Sequence, residues 1–280
     1  MHPLIRLGME LPPLGRGAVG TGAGEGSISL ADVARRAEDA ALGTLWLCEG
    51  PAPGLDPMPL AGSVARVTST LGIGVAVRPS LGRHPSVVAR DITTIDLLSD
   101  GRAAVAVIED GDDPLDVARL GEAASLLRRL LADEEVTVTG RFYEVAELTT
   151  RPRPVRPEGP PVVVGIVGRS DTSGLLAVAA SVEASVDAWV TGGNPADVAA
   201  CRSSLDAVTP VGANPMLLWR GVLGGVPEGA REWAASILEA GADGLIAVLD
   251  ASREAGGAFE LAAVVRLLEV LGPISDRLGS

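Results

Sequence analysis

The stretch Leu71–Ile108, LGIGVAVRPSLGRHPSVVARDITTIDLLSDGRAAVAVI, decides how the chain is read. It opens on a β-branched run, Leu71–Val77, and closes on another, Ala103–Ile108. Between them Pro85–Leu98 has a helical pattern, and Pro85 suits a first helical turn, where a missing N–H costs nothing. A strand, a helix of this length and a second strand make a parallel crossover rather than a hairpin.

The same unit repeats outward in both directions. Upstream, Leu4–Leu7 reads as a first strand, and Ser29 and Asp32 have capping-box spacing ahead of a helix. Thr44–Cys48 is a second strand, followed by a helix from about Pro59. Downstream, Asp113 and Pro114 open a helix whose Leu120, Leu127 and Leu131 share one face. An excursion, Val136–Pro161, begins with β alternation and ends in the proline-rich Arg151–Pro161. Strands then follow at Pro161–Ile166, Ala188–Val190, Met216–Trp219 and Gly244–Leu249. They alternate with helices from about Thr172, from Asn194 and Pro195, over Pro227–Ala240 and over Phe259–Leu271. Eight strand–helix pairs in 280 residues predict an α/β fold, a TIM (β/α)8 barrel. It is expected to be a single domain over 1–280 with an insertion between strands four and five.

Composition narrows the function classes. The chain is 47% hydrophobic with a mean hydropathy of +0.31, yet no apolar run is long enough to span a bilayer. All 23 basic residues are arginine, which removes Schiff-base chemistry on lysine and the Walker A phosphate loop. A formal net charge of -13 disfavours nucleic acid and acidic membrane surfaces, leaving small molecules and protein partners. Cys48 and Cys201 stand apart in apolar surroundings, which fits buried thiols in a reducing cytoplasm. No secretion signal is read in the first thirty residues.

Barrel chemistry is expected on the loops after each strand. Those positions hold Glu49, Arg78, Glu109, Asp110, Asp112, Asp113, Arg169, Asp171, Thr191, Asn194, Arg220 and Asp250. Glu49 and Glu109 form a candidate acid–base pair, weighed against ordinary solvated rim carboxylates. The Asp110–Asp113 run lacks the spacing of a calcium loop and reads as a turn, so no metal site is expected. The glycine-rich segment Gly15–Gly26 does not keep dinucleotide-fingerprint spacing and reads as a lid. His84, ahead of Pro85, suits a structural role at a helix entrance, and the four tryptophans suit packing.

Several motifs then resemble one family. Arg83-His84-Pro85 through Leu97-Leu98-Ser99-Asp100-Gly101-Arg102 is similar to a motif of the luciferase-like flavin- or deazaflavin-F420-dependent oxidoreductases. Ala37–Leu47, Val67–Val75, Gly140–Tyr143, Arg151–Pro154 and Pro160–Gly165 resemble other motifs of that family. The resemblance covers roughly Asp32–Thr191. It implies a barrel that takes F420 or FMN at the strand C-termini, and hydride transfer involving a small organic substrate.

It also implies site residues. Gly74-Val75 matches a non-proline cis peptide on which the ring rests, and Gly165, Gly168 and Arg169 match the loop holding the cofactor phosphate. With Arg78 and Glu109 these make the expected cofactor site. Gly50 and Pro51 stand where the family carries its usual acid, so Glu49 is the remaining proton-handling candidate. The family resemblance suggests a homodimer or a heterodimer with a paralogue. A catalytically inactive barrel, serving as a partner subunit or ligand-binding protein, stays open beside the enzyme reading.

Overall fold

The computed structural model describes residues 5–14, 27–50, 54–111, 113–133, 135–167, 173–181, 186–209, 213–223, 227–249 and 259–278. In chain order the first half is β1 (Leu7–Leu11), β2 (Ser27–Ile28), α1 (Leu30–Asp39), β3 (Thr44–Cys48), α2 (Pro57–Val67), β4 (Gly72–Val77), α3 (Pro85–Ser99), β5 (Ala103–Asp110) and α4 (Pro114–Ala132). The insertion is a hairpin of β6 (Val136–Thr139) and β7 (Glu144–Leu148). The second half is β8 (Val162–Val167), α5 (Ser173–Ser181), β9 (Ala188–Thr191), α6 (Pro195–Val208), β10 (Met216–Gly221), α7 (Pro227–Glu239), β11 (Gly244–Val248), β12 (Phe259–Glu260) and α8 (Leu261–Leu278).

Eight of these strands close a parallel barrel in the order β1-β11-β10-β9-β8-β5-β4-β3. The ring closes where Leu7 pairs with Leu245, joining the first barrel strand to the last. Strand periodicity sorts the side chains into two cores. Trp46, Cys48, Ala76, Ala104, Ala106, Ile108, Val163, Val190 and Leu218 fill the barrel. Their neighbours on the other face, such as Ile73, Val75, Val77, Val105 and Val107, pack under the helices.

The helices start and stop for local reasons. Ser29 and Asp32 form a reciprocal capping box on α1. Asp56 caps α2, which starts at Pro57, two residues ahead of the start read from the sequence. The His84 ring nitrogen Nδ1 accepts from the Ser86 N–H at 3.1 Å and caps α3. Asp100 and Gly101 end α3 at positive φ, 57° and 83°.

Arg102 explains the arginine that follows. Its guanidinium donates to the carbonyls of Ala65, Thr68 and Leu71, and its Nε to that of Ser99, so it satisfies the exposed carbonyl ends of α2 and α3 at once. Glu38 does the complementary work, accepting from the N–H groups of Ser69, Thr70 and Leu71. Two motifs of the sequence are therefore architectural.

The sequence reading departs furthest from the structure at three elements. The first barrel strand is Leu7–Leu11, not Leu4–Leu7, because the run through Glu10 pairs with both β11 and β3. Helix α2 begins at Pro57, since Asp56 supplies the cap. Phe259 and Glu260 pair with β2 before α8 begins, and α8 continues to Leu278 past Pro273.

Candidate functional site

The C-terminal ends of β1, β3, β4, β5 and β10 bring together Glu10, Cys48, Arg78, Asp110 and Arg220. Alternation places Cys48, Ala76 and Ile108 inward, and the charged groups sit over them at the mouth. Arg78 is nearly buried, at 9% side-chain exposure, while its partner Asp110 is half exposed, at 52%. Its Nε and Nη2 donate to the two Asp110 oxygens at 3.1 and 3.2 Å, a bidentate pair, and its Nη1 donates to the Glu49 carbonyl oxygen. Arg220 makes a second bidentate pair with buried Glu10.

Burial pushes the Cys48 thiol well above its ordinary value, and the neighbouring Glu10 carboxylate adds to the effect. The thiol shares a hydrogen bond with the Glu10 side chain, which also favours its protonated form. Glu49 follows inward Cys48, so its carboxylate turns out of the barrel, where it accepts from the Arg78 backbone N–H at 3.4 Å and from Arg83 Nη2 at 3.3 Å. Its side chain is 18% exposed.

The structure redistributes several expected site residues. Glu109 does not face the mouth: it lies one residue from Ile108 and Asp110, so it points out of the barrel. There it accepts from the Ser80 N–H at 2.6 Å and hydroxyl at 2.7 Å. Burial raises its proton affinity while the Ser80 bonds oppose the shift. Its task is to tie down the 3-10 turn Pro79–Leu81 after β4. The Glu49–Glu109 pair is therefore not assembled.

The Gly74-Val75 bond is trans, since the one cis peptide among the described residues is Arg151-Pro152. A Cβ on Gly74 would overlap the Trp46 ring, so this glycine makes room for the chain's own indole. Val75 faces the helices. A Cβ on Gly165 would meet Val190, so that glycine serves the approach of β8 to β9. Gly168, Arg169, Asp112, Asp171, Asp250 and the segment Gly15–Gly26 lie outside the described residues.

His84 caps α3, and its ring makes an edge contact with Tyr143 at 5.3 Å. Glu10, which the sequence reading passed over, is central to the mouth. Its signal was a lone carboxylate, Met9-Glu10-Leu11, inside an apolar run.

The donor set at the mouth suits a planar, polar ring. Cys48 and Ala76 are small, and the Arg78 and Arg220 guanidiniums beside them donate to the chain's own Asp110 and Glu10 carboxylates. The face of Gly74, by contrast, is already filled. A separate crevice of about 240 Å³ lies behind the barrel wall, lined by Val77, Arg78, Pro79, Arg83, Val88, Val107 and Leu127 among others. Most of that space is open to solvent, and the enclosed part has room for no more than about one water molecule. Among the described residues no set of His, Cys, Asp and Glu is placed to hold a metal ion, and no helix is long and apolar enough to cross a membrane.

Known proteins share both the sequence pattern and the fold. A family model described as luciferase-like monooxygenase matches residues 6–208. The F420-dependent glucose-6-phosphate dehydrogenase of Kineococcus radiotolerans is 29% identical over 167 residues, 50% of each chain. The chain thus matches about half the length of that curated relative. Among solved structures, the coenzyme F420-dependent tetrahydromethanopterin reductase of Methanopyrus kandleri superposes with a TM-score of 0.72 at 13% identity, over 96% of this chain and 99% of that one. Monooxygenase RslO1 of Streptomyces bottropensis gives 0.72 at 17% identity, over 96% and 98%. These two likenesses show the fold. The family match spans more than half of the chain, and the chain belongs to the luciferase-like monooxygenase family.

Proposed function

We propose that the chain is an oxidoreductase that takes F420 or FMN at the C-terminal ends of the barrel strands and acts by hydride transfer on a small organic substrate. Family membership supports this reading, together with the F420 dependence named for a sequence relative and for a solved neighbour. The observation that carries it is the mouth itself: small inward residues, Cys48 and Ala76, flanked by the guanidiniums of Arg78 and Arg220. Trp46 fills the face of Gly74, so the residues left to meet a ring are those one layer higher.

A bound F420 or FMN supplies the hydride chemistry. The chain supplies the rest: Arg78 and Arg220 orient polar edges, Trp46 closes the barrel below, and Glu49 holds or releases the accompanying proton. Gly168 and Arg169 are proposed to contact the cofactor phosphate. The single domain over 1–280, the cytoplasmic location and the homodimer or paralogue heterodimer belong to the same proposal.

A second reading is a catalytically inactive barrel that pairs with an active paralogue or binds a ligand. One observation favours it: Arg78, Arg83 and Arg220 are each already paired with carboxylates of the chain. Titration of the purified chain with F420 and with FMN, followed by absorbance and fluorescence, separates the two. Saturable binding and reoxidation of the reduced cofactor support the enzyme. Binding of neither, with a stable complex with a paralogue, supports the partner role.

A further inference from the structure

Arg83 belongs to a motif that the mouth does not use directly, and its surroundings are unusual. The 3-10 turn Pro79–Leu81 is closed by Gly82 at φ 86°, whose N–H returns to the Pro79 carbonyl. That reversal brings Arg83 back towards the strand ends immediately before the His84 cap of α3. Both flanks are therefore fixed, and the guanidinium has a defined origin.

From there it meets three carboxylates on three elements. Nη2 lies 2.9 Å from Asp56, the cap of α2, and 3.3 Å from Glu49, just after β3. Nη1 lies 3.8 Å from Asp91 on α3. One positive charge is shared among three negative ones, and without it Glu49 would face Asp56 and Asp91 uncompensated. Burial by itself would weaken the guanidinium's hold on its proton, but the bonds to Asp56 and the charge of Glu49 outweigh it, so Arg83 stays charged.

We infer that Arg83 is the positioning residue for Glu49: it orients the carboxylate between the strand ends and the starts of α2 and α3 and sets its readiness to take up a proton, in competition with Asp56 and Asp91. The inference rests on the proposed role of Glu49 in proton handling. Nη2 holds Oε1, and the Arg78 N–H approaches Oε2, so both oxygens are fixed by neighbours. The charged groups facing Glu49 are Arg78 from β4 and Arg83 from the segment before α3. Behind them stand Asp110 of β5, Asp56 of α2 and Asp91 of α3. Removing the cation leaves like charges that favour the protonated acid, whereas removing a competing carboxylate draws the cation onto Glu49.

Carbon-13 NMR titration of the glutamate side-chain carboxyls in the full chain tests this without any cofactor, with Glu49→Gln identifying the signal. Arg83→Gln should move the Glu49 midpoint to higher pH, and Arg83→Lys should restore most of the shift. Asp56→Asn, which keeps a good cap on α2, should move the midpoint to lower pH. A midpoint unmoved in Arg83→Gln and Asp56→Asn overturns the inference. If Arg83→Gln does not fold, the Asp56→Asn and Asp91→Asn shifts decide. The oxidoreductase proposal fails separately, through the cofactor titration, whatever the NMR shows.

Discussion

Glu10 and Arg220, 210 positions apart in the chain, meet across the barrel mouth through two parallel hydrogen bonds. One comes from the first barrel strand and the other from the seventh, so the pair exists only when the ring closes. It stitches the start of the chain to its last third where the proposed chemistry takes place.

Arg220→Ala leaves the buried Glu10 carboxylate without its cation. The expected cost is about 3–5 kcal/mol, the range for breaking one side of a buried pair. Replacing both residues, Glu10→Gln with Arg220→Met, should recover much of it, because no unpaired charge remains. Urea unfolding of the two variants measures this, and an Arg220→Ala variant as stable as the parent would show that the pair contributes nothing.

Gly74→Ala places a methyl group where the Trp46 ring lies. Overpacking of this kind costs about 1–3 kcal/mol. Trp46→Leu alone should also destabilise, by leaving a cavity. Combined with Gly74→Ala it should cost less than the sum, since each change relieves the other. A double-mutant cycle in chemical denaturation checks the sign of the coupling.

Glu38 has the clearest pH signature. Burial would raise its value, but bonds from the Ser69, Thr70 and Leu71 N–H groups and the Thr70 hydroxyl outweigh that and hold it at about 2, against an ordinary 4.5. A folded value below the unfolded one stabilises above the unfolded value, and the stabilisation is lost as pH falls from about 4.5 to about 2. With solvent screening at this part-exposed site the contribution is about 1–2 kcal/mol. Glu38→Gln should therefore destabilise at pH 7 and approach the parent as acid protonates the native carboxylate. Unfolding curves at both ends of that window test it.

Cys48 and Cys201 are both buried free thiols, and burial raises the proton affinity of each. Neither should react with a thiol reagent in the native chain at neutral pH, and both should react once it is unfolded. Rapid native labelling of Cys48 would show that the mouth opens far more than its ion pairs suggest.

Much of the fold was legible along the chain because its signals are local. Capping residues, proline in first helical turns and β-branched runs are decided within a few neighbours, so the repeated strand–helix units and the place of the insertion could be read directly, although its second strand, β7, was not. Boundaries slipped where a partner element set them: pairing with β11 and β3 defined β1, not its own composition. The site was legible only in part. Arg78 reaches the mouth, but Glu49 turns its carboxylate out of the barrel towards Arg83, and Glu109 and Asp110, adjacent in sequence, diverge to opposite faces because strand side chains alternate.

By itself the sequence determined the eightfold alternation, the absence of lysine chemistry, the acidic balance and the motifs that place the chain in its family. Tertiary structure alone decided that Gly74 receives an indole, that Glu10 meets Arg220, and that one guanidinium serves three carboxylates. The physical reason is that these are contacts between strands and helices remote in the chain. Their geometry comes from barrel closure and register, which no local pattern of residues encodes.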